Sequence, residues 1–206
     1  MISGQVTEDI IKNGWQKMID LDISVNRLVG PIPSNIFSSM PNLEVLDLHD
    51  NDFVGAFPEI ENVHDKMMFL SVQDNSLDWK LPETISNLIN LAHLDISNNN
   101  MVLPFPPSVD QMSNLRSFYA GINPFDQHPI PNFLQSLTNL KELSMKQNNL
   151  TGTIPSFIGG LTNLQVLDFD FNQLQGTIPS VSLLSILILC CVFEIIRRKI
   201  VNFLFL

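Results

Sequence analysis

The residues best suited to chemistry are few and thinly spread. Asp168 and Asp170 stand two positions apart. On an extended segment their carboxylates would share one face about 7 Å apart, a spacing that overlaps the carboxylate pairs of glycoside hydrolases. An open sheet surface offers no water-excluding cleft to raise one of the two pKa values, so a structural role is favoured over catalysis. His49 and His93 fall in segments two repeats apart, whose strands would lie roughly 10 Å from each other, too far for one metal shell. His64 and His128 fall on other surfaces. The sequence carries no H-x-x-x-H or C-x-x-C, no Gly-rich phosphate loop and no kinase signature. Neither a metal nor a cofactor is expected, and catalysis is the least favoured class.

Composition narrows the classes further. A formal net charge of −10 argues against a nucleic-acid partner, since binding phosphates needs a basic surface. With 45% apolar residues and 14 Phe the chain can bury a core, which argues against disorder. The two cysteines, Cys190 and Cys191, are adjacent inside an apolar run, so no disulfide framework is readable. Beside a basic flank they read either as acylation sites or as small apolar fillers.

Two residue types need positions: 28 Leu and 21 Asn. Asn recurs at 26, 51, 75, 99, 123, 148 and 172, always in one frame. The second repeat reads Leu43-x-x-Leu46-x-Leu48-x-x-Asn51-x-Phe53-x-Gly55-x-Phe57-Pro58, and the sixth reads Leu140-x-x-Leu143-x-Met145-x-x-Asn148-x-Leu150-x-Gly152-x-Ile154-Pro155. An apolar-Pro pair returns at Pro33, Pro58, Pro82, Pro106, Pro131, Pro155 and Pro179. Two markers in register over seven copies make this the strongest signal in the chain.

The frame resembles the leucine-rich-repeat signature, and the added G-x-I-P resembles its plant-type subclass. That subclass occurs in receptor-like kinase ectodomains, receptor-like proteins and polygalacturonase-inhibiting proteins. The resemblance covers residues 1–180 and implies an α/β solenoid: a right-handed superhelix with a parallel concave sheet and short convex helical turns. Departures are local, with Leu103 and Gln127 in place of Gly and one extra residue before Ile130-Pro131.

Each position also has a physical reading. The x-L-x-L segment alternates with period two, as a strand with its Leu facing inward does. Where the chain turns inward after each strand, backbone groups are buried that no ladder can satisfy. The amides of Asn26, Asn51, Asn75, Asn99, Asn123, Asn148 and Asn172 supply donors and an acceptor there, so they read as a structural ladder. Gly30, Gly55, Gly152 and Gly176 permit a conformation or a close approach that a Cβ would hinder. Each Pro blocks continued pairing. The stretches 34–40 and 156–161 carry apolar residues at helix-like spacing, as short convex turns would.

By register, the exposed concave columns are Asp22, Asp47, Ser71, Asp95, Tyr119, Ser144, Asp168 and then Ser24, His49, Gln73, Ser97, Gly121, Lys146, Asp170. Phe69, His93, Ser117, Glu142 and Val166 lie one step earlier. Such a face is long, curved and served by every repeat, which suits binding. The candidate contacts are Asp22, Asp47, His49, Phe69, His93, Asp95, Tyr119, Lys146, Asp168, Asp170 and Phe171, with Phe69, Tyr119 and Phe171 as aromatic anchors. Against this, Asp in the first column is the common L-D-L spelling of the repeat. Asn149 heads an N-L-T sequon that would carry a glycan outside the cell, although N-L-T-G is also a frequent spelling of this part of the repeat.

At the ends the register lapses. Residues 2–6 match the second half of a repeat, which makes 1–17 a partial repeat with neither a signal peptide nor a polar cap before it, as in a fragment of a longer array. Residues 181–206 form an apolar tail outside the frame. A transmembrane helix over 181–196 would span about 24 Å, short of the roughly 30 Å hydrocarbon core, and the basic flank 197–199 would place the repeats outside. A helix capping the last coil is a second reading. Translated intron is a third, since Val181-Ser182 is what a common splice donor spells. The expected role is a non-catalytic recognition module binding a protein, peptide or glycan, on the plasma membrane if the tail is genuine and extracellular otherwise. The alternative is a secreted binder such as an enzyme inhibitor, or a structural cell-surface repeat.

Overall fold

The computed structural model describes residues 1–11 and 15–179. Its strands are short, because each coil commits only the residues around one inward Leu or Phe before turning away. In chain order they are β1 (Ser3–Gln5), β2 (Asp20–Asp22), β3 (Arg27–Gly30), β4 (Val45–Asp47), β5 (Asp52–Gly55), β6 (Phe69–Ser71) and β7 (Ser76–Leu77). There follow β8 (His93–Asp95), β9 (Ser117–Tyr119), β10 (His128–Pro129), β11 (Glu142–Ser144), β12 (Leu150–Thr153), β13 (Val166–Asp168) and β14 (Gln173–Gln175).

Seven of them make one parallel sheet in the order β13-β11-β9-β8-β6-β4-β2. Their register aligns Leu21, Leu46, Leu70, Leu94, Phe118, Leu143 and Leu167 in a single row. All seven are buried, and so are Leu48, Val72, Ile96, Ala120, Met145 and Phe169 two residues on. A one-residue slip would put the whole row on the solvent face, so burial fixes the register. The chain is a parallel-sheet leucine-rich-repeat solenoid.

After each strand the chain turns through one residue with positive φ: Val25, Asp50, Asp74, Asn98, Ile122, Gln147 and Phe171, all at 50–58°. At the β-branched Val25 and Ile122 this conformation costs of order 1–3 kcal/mol. The next coil holds it in place, with Val25 N–H donating to His49 O at 2.9 Å and Ile122 N–H to Lys146 O at 2.8 Å. The Asn that follows bridges two coils. Asn99 Nδ2 donates to Val72 O at 2.9 Å while its Oδ1 accepts the Leu77 N–H at 3.0 Å. Asn51, Asn75 and Asn172 repeat the pattern on Leu28, Phe53 and Leu150. Asn148, fully buried, donates to Ala120 O at 2.8 Å and accepts from Asn123 N at 3.0 Å.

A second Asn column explains more of the Asn content. Asn42, Asn90, Asn114, Asn139 and Asn163 each donate through Nδ2 to a carbonyl of the preceding coil, those of Gln16, Asp65, Ile89, Ser113 and Thr138. In the third repeat Lys66 takes this place, and its Nζ donates to Asn42 Oδ1 at 2.5 Å.

Beyond the ladder the chain pairs again, which the sequence reading did not anticipate. β1-β3-β5-β7 form one flanking sheet and β10-β12-β14 another. Gly55 and Gly152 lie in these strands at φ 78° and 79°, with nothing within 4 Å of where a Cβ would stand. They serve conformation, not close approach. The two sheets are separated at residues 99–127. Pro124 has no N–H to give to the preceding coil, and the Phe125 N–H turns back onto Asn123 O at 2.8 Å.

The convex side carries single helical turns: α1 (Glu8–Ile11), α2 (Ile36–Ser39), then 3-10 turns at Glu83–Asn87, Pro107–Gln111, Asn132–Ser136 and Ser156–Gly160. The expected C-terminal helix and the membrane span are corrected here. Among the described residues no helix is long and apolar enough to cross a membrane, and 181–196 with its basic flank lies outside the described residues.

Candidate functional site

The concave sheet brings three rings from three different repeats into one ridge. Phe69 on β6 stacks on His93 on β8, ring centroids 4.3 Å apart and planes at 3°. His93 meets Tyr119 on β9 at 5.5 Å and 56°. The Tyr119 hydroxyl donates to Glu142 Oε2 on β11. The ridge crosses four adjacent strands, about 14 Å at the usual strand spacing. All four side chains are half-buried, apolar at the Phe69 end and acidic at the Glu142 end. Burial depresses the His93 pKa below its usual value, although Glu142 and Asp47 oppose the shift, so desolvation of the stacked ring outweighs its acidic neighbours.

Beside the ridge, the first column is less open than its register predicts. Asp22 is exposed, while Ser71, Asp95 and Ser144 are buried. Side chains on neighbouring strands of a concave surface crowd together and exclude water. The Asp residues are also occupied. Asp22 Oδ1 accepts the Ser24 N–H at 3.0 Å, Asp47 that of His49 at 3.1 Å, Asp95 that of Ser97 at 2.9 Å and Asp168 that of Asp170 at 3.0 Å. Each carboxylate ties down the chain leaving its strand. The Ser24 bonds hold the Asp22 pKa below the usual value. At Asp95 burial is the largest effect and raises the pKa against the Ser97 bonds.

The remaining candidates take separate places. His49 Nδ1 lies 2.7 Å from Asp47 Oδ1. The Lys146 stem runs over Gly121, where a Cβ would come within 2.9 Å of Lys146 Cγ and 3.0 Å of its carbonyl oxygen. Phe171 occupies the left-handed position before Asn172 and is 76% exposed. Asn149 is exposed, but its Nδ2 donates to Phe125 O at 2.9 Å, and that nitrogen is where a glycan would attach. Among the described residues no group of three or more His, Cys, Asp or Glu is placed to hold a metal ion.

Asp168 is tied into the fold by both carboxylate oxygens. Asp168 Oδ1 caps the Asp170 backbone, and Asp168 Oδ2 lies 3.3 Å from the donating Ser144 hydroxyl. What the face offers is a ridge of rings bordered by carboxylates, several of which accept from serine hydroxyls of the same face.

The profile described as a leucine-rich repeat region matches residues 23–196. The chain belongs to the leucine-rich repeat family. Receptor-like protein 35 of Arabidopsis thaliana is 36% identical over 138 residues, which are 66% of this chain and 14% of that protein. Among solved structures, the leucine-rich-repeat ectodomain of the Arabidopsis receptor kinase HAESA, in complex with an N-terminally extended IDA peptide hormone, aligns with a TM-score of 0.80 and 28% identity. That alignment covers 86% of this chain and 30% of the ectodomain. The plant peptide hormone receptor RGFR1, in complex with RGF2, aligns with a TM-score of 0.78 and 30% identity over 86% of this chain and 28% of that one. The leucine-rich-repeat chain therefore spans a minor part of each relative.

Proposed function

We propose that this chain is a non-catalytic, ligand-sensing segment of a receptor-like protein at the cell surface. Its concave face takes a peptide or a protein segment. The observation that carries this reading is the ridge of Phe69, His93 and Tyr119 ending on Glu142. Half-buried rings already packed on one another supply contact area at little cost in side-chain entropy. Glu142 accepts from Tyr119, and Glu142 and Asp47 both act on His93, so a ligand with a positive charge flanking an apolar anchor is favoured. Peptide hormones are the ligands named for the HAESA and RGFR1 structures, which supports the same class here. In this proposal residues 1–180 form the recognition array, with Asp22, His49 and Phe171 at the margins of the contact surface and Asp95 buried on the strand that carries His93.

A displayed random-peptide library panned against the immobilised full chain tests the proposal. Selected peptides should combine an aromatic or aliphatic residue with neighbouring Lys or Arg. They should lose at least tenfold in affinity for Tyr119→Ala and Phe69→Ala, with circular dichroism unchanged. Peptides that bind those variants as tightly as the parent chain would place the ligand surface elsewhere.

A further inference from the structure

A trough of about 690 Å³ runs beside the starts of the concave strands. One wall is made by the residue that precedes each strand: Glu44, Met68, Ala92, Arg116 and Lys141, stacked coil on coil by backbone hydrogen bonds of 2.7–2.9 Å. The other wall is the second Asn column, Asn90, Asn114, Asn139 and Asn163, whose amides are held by the preceding coil. Lys66 heads that column. It closes the coil 56–66, which runs without the convex turn of its neighbours and leaves a cavity of about 270 Å³ beside Glu59 and His64. From the Glu44 coil to the Asn163 coil the trough is roughly 24 Å long, the length of about seven extended residues.

Charge and shape are set unevenly along it. Three of the seven Lys and Arg among the described residues line this one trough, in a chain of net charge −10. Arg116 and Lys141 stand on adjacent coils, both exposed, and among the described residues neither is paired with a carboxylate. At the opposite end lie Glu44 and Asp65, and Lys66 Nζ is committed there to Asn42 Oδ1 at 2.5 Å. Ala92 falls between Met68, which is 52% exposed, and Arg116. A methyl between two long side chains leaves a notch with an apolar floor. A uniform polyanion would have to lie its charge against Glu44 and Asp65. A segment with carboxylates at one end and an apolar side chain a few residues away complements the whole length.

We propose that the trough docks an extended acidic segment of a partner protein. Its carboxylates lie on Arg116 and Lys141, and a neighbouring apolar side chain fills the Ala92 notch against Met68. The Arg116 guanidinium presents two parallel N–H donors to one carboxylate, which fixes its position as well as its charge. Asn114 and Asn139 each leave Oδ1 unengaged among the described residues, so both can accept backbone N–H groups of the segment. The trough is separate from the aromatic ridge, so its fate does not bear on the concave-face reading above.

Fluorescence anisotropy on the full 206-residue chain tests this with labelled peptides that carry a leucine and a pair of glutamates, made in both chain orders. A heparin-derived hexasaccharide forms a further arm. The expected result is saturable one-to-one binding of one peptide order, weakened at least fivefold by Arg116→Gln and by Ala92→Phe, with circular dichroism unchanged. Lys80→Gln removes an equal charge outside the trough and should leave the affinity as it is. Binding of neither peptide overturns the proposal. So does tighter binding of the hexasaccharide, which would make the trough a site for uniform polyanions. Affinity retained in both Arg116→Gln and Ala92→Phe would place the peptide elsewhere on the chain. Equal weakening by Lys80→Gln also overturns the proposal, because the peptides would then be responding only to overall charge.

Discussion

The concave sheet runs unbroken through seven strands, whereas the sheet on the flank is split into four and three. The same coils build both, so the difference lies in what each sheet asks of its repeats. The concave strands need an inward apolar residue and an Asn after the turn, and all seven repeats keep both. The flanking strands need a backbone N–H on the residue after the ladder Asn, as Arg27 and Asn100 supply, and in most coils a residue tolerant of positive φ. One repeat begins that segment with Pro124, and Leu103 and Gln127 replace glycine on either side. Both sheets bury apolar side chains, Leu28, Phe53, Leu77, Leu150 and Leu174 on the flank, so what lapses at Pro124 is the backbone pairing and not the burial.

Six substitutions would break or sharpen this contrast. Asn148→Ala strikes the continuous region hardest, because it leaves the Asn123 N–H unpaired and leaves the Ala120 carbonyl with Asn123 Nδ2 alone. At about 1–3 kcal/mol for the orphaned N–H and about 1 kcal/mol for the lost bond to Ala120 O, denaturant titration should show a loss of about 2–4 kcal/mol. Asn26→Ala, at a half-exposed position, should cost clearly less. Gly121→Ala comes next, since the new methyl meets the Lys146 backbone. Overpacking of this kind costs about 1–3 kcal/mol, read as a lower midpoint with an unchanged m-value.

Pro124→Asn addresses the break itself. It restores one N–H, worth about 1 kcal/mol when paired, but loosens the unfolded chain by about 0.4–1 kcal/mol. Stability should stay nearly level while a new slowly exchanging amide appears at position 124. A rapidly exchanging amide there would mean that Pro124 is not what separates the two flanking sheets.

The smallest effect concerns β8, where two neighbours shift in opposite directions. The folded-state pKa of His93 is depressed, so the unfolded chain takes up its proton first as pH falls below about 6.5. Its stabilising contribution is present at neutral pH and is lost on acidification towards the folded value. Asp95 is raised above 3.8 in the fold, so its contribution declines as pH climbs from there through the raised value. His93→Phe should flatten the slope of the melting temperature just below pH 6.5 and keep the ring stack. Asp95→Asn should flatten the slope at lower pH. A slope unchanged in both variants would mean that neither group is desolvated by the ridge.

Much of this was legible in the sequence, and the exceptions have physical reasons. The seven-residue Leu row and the Asn ladder follow from a frame that each repeat carries by itself. The second Asn column was equally periodic, in the Asn-Leu pairs that open most repeats, but its acceptors are carbonyls one coil back and have no sequence mark. The aromatic ridge joins Phe69, His93 and Tyr119, drawn from three repeats and two different columns, so no local motif announces it. Asp95 and Ser144 were expected at the surface, and it is the crowding of side chains from neighbouring strands that buries them. The lost convex turn at 56–66 and the broken flank at Pro124 show as departures from the repeat. What those departures create, a cavity in one case and a sheet edge in the other, depends on the coils on either side.

The two Asn columns have a consequence at the level of the gene. Each coil presents its amides to carbonyls of the coil before it and offers its own carbonyls to the coil after. A whole repeat duplicated in frame would arrive with its donors correctly aimed and its acceptors already waiting. Recombination that adds or removes complete coils therefore leaves the hydrogen bonding intact. The array can gain or lose recognition surface in whole-coil steps, without redesign of its interior.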